Sequence, residues 1–521
     1  MISALTHIAR LARAGFVFAR EGVFGVVDPS LVPPPGQLAL RLARIIERPG
    51  AKSGPHLSRA LTRLGPAYLK LGQFLATRPD VVGAVMARDL ESLQDRLPPF
   101  SQGEAEAVIA TSLERPVAQA FASFGPAVAA ASIAQVHRGV VERDGVRQSV
   151  AVKVLRPNVG ARFRRDLADF FFVAHKAEAY SAEARRLRLI EVINTMSRSV
   201  AMEMDLRLEA AALSEMAENT KDDPDFRVPT VDWDRTTHNV LTMEWIDGIA
   251  LSDHARLEQS QVDLPELGRK VIQSFLRHAL RDGFFHADMH PGNLFLDDAG
   301  RLVAVDFGIM GRLGMKERRF LAEILLGFIT RNYRRVAEVH FEAGYVPAHH
   351  SVDNFAQAIR AIGEPIHNRT AEEISMAKLL TLLLEVTGLF DMRTRPELIL
   401  LQKTMVVVEG VARGFDPRLD IWKVADPVVR EWIERNLGPV GRIQGAMSGA
   451  GELGRVFAGL PALATRAVTV IEQLETMTRE GLTLSEETIA SVGRTESRWR
   501  TLAHWIIAAA FIGIMLALLH I

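Results

Sequence analysis

Phe285-His286-Ala287-Asp288-Met289-His290-Pro291-Gly292-Asn293-Leu294-Phe295, followed shortly by Val303-Ala304-Val305-Asp306-Phe307-Gly308, is the stretch of this 521-residue chain whose reading decides its fold. It gathers an aspartate, an asparagine and a second aspartate into one short span: Asp288, Asn293 and Asp306. Phosphoryl transfer from a nucleotide needs such a set. One carboxylate orients the nucleophile, an amide oxygen sits on a divalent cation, and a second carboxylate bridges that cation to the phosphates. The apolar Val303-Ala304-Val305 reads as a short strand that delivers Asp306.

The spacing is that of the protein-kinase catalytic loop, H-x-D-x-x-x-x-N, with His286 in the histidine place, and Asp306-Phe307-Gly308 supplies the D-F-G that follows it. Upstream, Val150-Ala151-Val152-Lys153-Val154 matches the strand pattern V-A-I-K. A lysine there reaches the α and β phosphates only if an acidic side chain from a neighbouring helix holds it. The helix from Glu191 onward offers Glu203, Asp205 and Glu209. Met243-Glu244-Trp245-Ile246 then reads as the connection between two lobes, with Glu244 and Ile246 against the adenine of ATP or ADP.

Outward from this core, Ile133 to Val141, Asp144-Gly145 and Ser149 to Leu155 give a strand, a hairpin turn and a strand. Phe226–Val231 and Asn239–Trp245 are predicted strands, Leu57–Ala76 and Ala161–Thr220 predicted helices, and almost everything after Leu264 is predicted helical. Helices are also expected over Ala39–Glu47 and in the stretch leading to Phe121, after a linker at Leu31–Gly36. The expected class is therefore α+β: a small β-rich lobe, a larger α-rich one, and added helices at both ends.

The two ends differ in kind. Ile2 to Arg20 interleaves apolar residues with Arg10, Arg13 and Arg20 and holds no acid, which predicts an interfacial basic helix, a cleaved mitochondrial address being the competing reading. Thr501 to Ile521 carries no formal charge and follows Arg494, Arg498 and Arg500; it predicts a membrane-spanning helix with the main body on the cytoplasmic side. Ala509 and Gly513, four apart in that run, would let it pack against a second copy, and Gly441, Gly445 and Gly449 repeat the spacing in a Gly-rich stretch. Lys+Arg and Asp+Glu both count 62, so the global basic charge of many nucleic-acid binders is missing and no nucleic-acid partner is expected. The chain has no cysteine, which excludes disulfides, thiolate catalysis and Cys-ligated metal together.

Two departures from ordinary protein kinases follow. The phosphate-covering loop carries alanine in place of glycine: Val128-Ala129-Ala130-Ala131-Ser132-Ile133-Ala134-Gln135-Val136. Alanine restricts φ where glycine does not, so this loop folds over phosphates differently. No A-P-E follows Asp306, the chain turns helical from about Met315, and Ala287 stands in the catalytic-loop arginine place, so a peptide-binding platform is short or missing. With Lys70-Leu71-Gly72-Gln73 (K-x-G-Q) and Glu203-Met204-Asp205 (E-x-D), the pattern closely resembles the UbiB family of atypical kinase-like proteins over roughly Leu61 to Gly311. Met289 departs from that family's H-A-D-P-H-P-G-N and should affect loop stiffness more than chemistry.

The resemblance implies a two-lobed atypical kinase-like fold with N-terminal helices and a C-terminal transmembrane helix. It implies Asp288 as proton acceptor, Asn293 and Asp306 as Mg²⁺ ligands, the loop Val128–Val136 with Lys153 as the ATP or ADP site, and Glu209 as partner of Lys153. Lys70 and Gln73 of K-x-G-Q, with Glu203 and Asp205 of E-x-D, would be regulatory, Lys70 meeting Glu203 over the site; the bland alternative is an exposed Lys70. The expected layout is 1–56 amphipathic region and linker, 57–120 helical extension, 121–246 N-lobe, 247–425 C-lobe, 426–500 helical tail and 501–521 membrane helix. The implied function is ATP hydrolysis or phosphorylation of a small or lipid-linked acceptor in support of ubiquinone biosynthesis, at the bacterial inner membrane or, alternatively, the mitochondrial one. Membrane lipid, quinone precursors, other enzymes of that pathway and a second copy are the expected partners. A non-catalytic nucleotide-gated module that presents quinone precursors, or a protein kinase regulating a pathway enzyme, remain open alternatives.

Overall fold

The computed structural model describes residues 2–23, 45–48, 56–76, 90, 93, 97–180, 182–366, 386, 388–392 and 396–438. The run Thr501–Ile521, the glycines Gly441, Gly445 and Gly449, the linker Leu31–Gly36 and most of the expected helix Ala39–Glu47 lie outside them. Among the described residues no helix is long and apolar enough to cross a membrane. The described residues divide into two compact units, those within 1–94 and 163–193 in the first, and those within 95–162 and 194–441 in the second.

The first unit is helical where described: α1 (Ile2–Arg20), α2 (His56–Leu64) and α3 (Pro66–Ala76), with most of the helix Val159–Tyr180. The expected single helix over Leu57–Ala76 is two, because Gly65 takes φ +108° and Pro66 then opens the next helix. The basic helix α1 forms as expected, but part of its polar face is already occupied. Arg10 grips the buried carboxylate of Asp169 through Nε at 2.7 Å and Nη2 at 2.6 Å, and His7 adds Nδ1 at 2.5 Å while stacking on Phe172.

The second unit opens with α4 (Gln102–Ser112), closed at its start by a Ser101/Glu104 capping box. An antiparallel sheet follows in the order β1-β2-β3-β5: β1 (Ser123–Ala130), β2 (Ala134–Arg143), β3 (Val146–Leu155) and, later in the chain, β5 (Val240–Glu244). The β2–β3 hairpin turns at Asp144-Gly145, both with positive φ (51° and 76°), the type I′ geometry that the dipeptide predicts. Strand β1 corrects the sequence reading, which took residues from Val128 as loop. Its Gly, Pro and Ala residues carry no apolar alternation, and it is a strand because β2 offers it an edge.

Between β3 and β5 the chain passes through helices to α5 (Leu206–Asn219), capped by Asp205, and then β4 (Phe226–Arg227). The expected strand Phe226–Val231 shrinks to those two residues, paired parallel to a later strand. After β6 (Gly248–Ala250) and α6 (Leu264–Arg277), the expectation of continuous helix fails. Four short strands intervene: β7 (Phe284–His286), β8 (Leu294–Asp297), β9 (Leu302–Ala304) and β10 (Met310–Arg312). Of these, β9 is the short apolar strand expected ahead of Asp306; β7, β8 and β10 are too short to display a period, and only their partners define them. Strand β10 pairs back on β7, and β9 pairs on β8 within a sheet ordered β4-β9-β8-β6. Helices α7 (Met315–Ile329), α8 (Tyr333–Glu342), α9 (Val352–Ile366), α10 (Pro396–Phe415) and α11 (Ile421–Leu437) complete the unit; α10 and α11 pack on α6.

Candidate functional site

Strand β3 is buried over Val150–Leu155, and its two faces separate core from chemistry. Val150, Val152 and Val154 join Ile109, Phe121 and Val240 in an apolar cluster. Lys153, on the opposite face by the period of two, is driven toward acids. Its Nζ donates to Glu209 Oε1 at 2.8 Å and to Asp306 Oδ1 at 3.0 Å. Of the three acids open on sequence grounds, Glu209 is therefore the one that holds Lys153. Glu203 ends the preceding helix, and Asp205 caps α5 by accepting from Arg207 N at 3.1 Å. Burial opposes the charge of Lys153, yet Asp306 and Glu209 outweigh it and hold the lysine above its usual range. Burial lifts Glu209, with Lys153 offsetting only part of the rise. Burial also acts to raise Asp306, but Lys153 brings its carboxyl down to about 2.

The catalytic loop is held at both ends by the paired short strands. His286 ends β7, and Ala287 N donates to Ile309 O at 3.0 Å. Asn293 precedes β8, and Val305 N donates to Asn293 O at 2.9 Å. Asp306 follows directly with φ +62°, a left-handed backbone that non-glycine residues adopt at a cost and that recurs at functional sites. His286 locks the interior. Its Nδ1 accepts from Asp288 N at 3.0 Å, so Nε2 carries the proton and donates to Val305 O at 3.0 Å. Burial pushes this imidazole below its usual range, in keeping with that neutral form.

Asn293 Nδ2 donates to Asp288 O at 3.1 Å, which leaves Oδ1 as the end of the amide for a cation. Together with the Asp306 carboxylate this is a set of hard oxygen donors, and it fits Mg²⁺. The Asp288 side chain is 41% exposed, with His290 Nε2 3.9 Å from its Oδ2. Met289, the odd residue of the loop, is buried.

The alanine-rich segment forms the end of β1, a turn and the start of β2. Val128 and Ala129 are exposed, Ala130, Ala131 and Val136 half-buried, and Ser132, Ile133, Ala134 and Gln135 buried. The Gln135 side chain points into the protein: Oε1 accepts from Phe100 N at 2.9 Å, and Nε2 lies 2.9 Å from His137 Nε2. Glu244 is half-buried and paired with Arg227 at 2.9 Å, and Arg227 also binds Asp297; Ile246 is half-buried. In the first unit Lys70 is buried on α3 and Gln73 half-buried, while Gly72 faces Leu61, Leu90 and Leu93 with no room for a side chain.

Two supporting residues escaped the sequence reading. Arg156 fastens the alanine-rich turn by donating Nη2 to Ala131 O at 2.8 Å. Thr404, fully buried on α10, sets its hydroxyl between Leu400 O of its own helix at 2.8 Å and Ala287 O at 3.0 Å, so a helix outside every motif touches and braces the catalytic loop. Neither belongs to a spacing pattern, and only the fold brings them in.

A lysine bridging two acids beside an Asp/Asn loop clamped by strands defines an atypical kinase-like fold. The comparisons agree: residues 92–340 match the ABC1 atypical kinase-like domain and residues 359–420 match the UbiB helical domain. Curated proteins named "Probable protein kinase UbiB" are similar along most of their length. The one from Marinobacter nauticus is 37% identical, covering 98% of this chain and 94% of its own. Those from Cellvibrio japonicus and Xanthomonas axonopodis pv. citri are each 38% identical, covering 82% and 83% of this chain and 78% and 80% of theirs. The chain belongs to the UbiB family. Among solved structures, one described as the complex of Rv3197 with erythromycin from Mycobacterium tuberculosis covers 70% of this chain and 92% of its own, at 24% identity and a TM-score of 0.48.

Proposed function

We propose that this chain is a membrane-bound, kinase-like ATPase or small-molecule kinase that supports ubiquinone biosynthesis. The observation that carries the reading is the convergence of Lys153, Glu209 and Asp306 beside a braced Asp288/Asn293 loop. Mg²⁺-bound ATP would supply the phosphoryl group and part of the charge neutralisation. Asn293 and Asp306 would hold the cation, and Lys153, kept protonated by its two acids, would hold phosphate oxygens in place. Asp288 would take the proton of the attacking hydroxyl, from water or from a small or lipid-linked acceptor. With no A-P-E segment and helix α7 beginning at Met315, little chain remains after Asp306 to dock a peptide.

Family membership supports the pathway, and the uncharged run Thr501–Ile521 with the basic α1 supports attachment to the bacterial inner membrane, where lipid and quinone precursors would be the partners. The test uses two readouts on Asp288→Asn. The purified variant should still bind ATP while turnover falls about 10²- to 10⁴-fold, and it should fail to restore quinone levels in a strain lacking the gene. Full turnover in the variant refutes the catalytic assignment; quinone levels unaffected by the deletion refute the pathway.

A further inference from the structure

Far from the motifs, two adjacent histidines and an aspartate converge. His349 and His350 lie between α8 and α9, and Asp391 lies in the turn ahead of α10. His350 Nε2 is 3.2 Å from Asp391 Oδ2, His349 Nε2 is 3.7 Å from the same oxygen, and the three ligand atoms lie within 4.8 Å of one another. The first distance suits a hydrogen bond; the second is too long for one. Both suit a shared cation. A tetrahedral centre with bonds of about 2.0–2.2 Å sets its ligand atoms roughly 3.3–3.6 Å apart, and the two observed separations bracket that range.

We infer that His349, His350 and Asp391 form a binding site for a transition-metal ion of the Zn²⁺ type. Two imidazoles and one carboxylate are borderline donors that select Zn²⁺ and its neighbours over Mg²⁺, which takes oxygen ligands. The placement is buttressed from inside. The His350 ring sits 5.3 Å from Phe390, and Phe390 meets Phe355 edge-on at 5.0 Å in a buried cluster with Val386 and Ile359. Asp391 holds φ +48°, a backbone that an aspartate adopts at a cost and that here aims its carboxylate at both imidazoles.

The site has a structural consequence. The histidines fall between the two matched family segments and Asp391 falls within the second, so the ion ties the connection after the kinase-like domain to the helical domain. The tied turn leads into α10, the helix whose Thr404 braces the catalytic loop. The metal is a staple behind the site, and it takes no part in the chemistry at Asp288.

The test titrates ZnCl₂ into chelator-stripped, untagged full-length protein in saturating Mg²⁺, which occupies the oxygen ligands at Asn293 and Asp306. One equivalent should bind, the melting temperature should rise with Zn²⁺, and Co²⁺ in its place should give a low-symmetry visible spectrum. His349→Ala, whose side chain is 67% exposed and is therefore expected to leave the fold intact, should weaken Zn²⁺ at least tenfold and abolish the thermal shift; Asp391→Asn should do the same. No Zn²⁺ uptake by the parent protein, or equal affinity and equal thermal shift in His349→Ala, overturns the proposal.

Discussion

Lys153→Met is the perturbation whose outcome the geometry constrains most tightly. Lys153 and Glu209 are both buried, at 7% and 6% exposure, and lie 2.8 Å apart; the Asp306 side chain is 46% exposed and can turn to water. Removing the lysine charge therefore strands Glu209 in particular, and breaking a buried pair from one side costs about 3–5 kcal/mol. Taking an m-value of about 2.5 kcal/mol per molar urea, the unfolding midpoint should fall by roughly 1–2 M. The sign of the pH dependence follows from the same groups. In the parent protein, Lys153 is raised above 10.5 and contributes stability until pH climbs through its raised value. Asp306, lowered from 3.8 to about 2, contributes until pH falls through that window. Glu209 runs the other way: lifted above 4.5 by burial, it subtracts from stability at higher pH. Without Lys153 this last effect grows, so the deficit of the variant should shrink between pH 8 and pH 5. Adding Glu209→Gln should recover most of it. Urea titration followed by tryptophan fluorescence reads all three. An unchanged midpoint, or a deficit indifferent to both pH and Glu209→Gln, refutes the reasoning.

Other substitutions probe the scaffold around the site. Thr404→Val leaves the Ala287 carbonyl without its buried donor and should cost about 1–3 kcal/mol, with ATP turnover reduced more than ATP binding, while Thr404→Ser keeps both near parental levels. Gly311→Ala drives a methyl into the Phe285 ring across the β7–β10 pair and should destabilise by about 1–3 kcal/mol in a thermal melt. Asp205→Ala removes the cap of α5, the helix that carries Glu209; a loss of about 1 kcal/mol is expected from chemical denaturation.

The chemistry was legible because it is local. Asp288, Asn293 and Asp306 fall at loop spacings on one short span, and Asp144-Gly145 dictates its own turn through positive φ at two positions. Lys153 was legible as a strand residue among valines; its local residues left the partner open among three acids, and only the family resemblance named Glu209. Glu203, Asp205 and Glu209 share a helical region, and only packing of α5 against the sheet selects Glu209 for Lys153, leaving Asp205 to cap that helix. Strand β9 was legible as the apolar run ahead of Asp306, but β1, β7, β8 and β10 escaped for a related reason. Their residues show no period of their own and become strands through pairing, which is a property of two segments at once.

The amino-acid sequence by itself determined the catalytic set, the lysine strand, the hairpin and the basic and uncharged ends, because each depends on residues close together in the chain. The tertiary structure bears out the pairing of Glu209 with Lys153 that the family resemblance implied, and it alone decided that Gln135 turns inward to Phe100, that Arg156 and Thr404 brace loops more than twenty and more than one hundred residues away, and that His349, His350 and Asp391 meet. Those contacts join distant segments, and their partners are chosen by burial and by the need of every buried polar group for a mate, which no local spacing records.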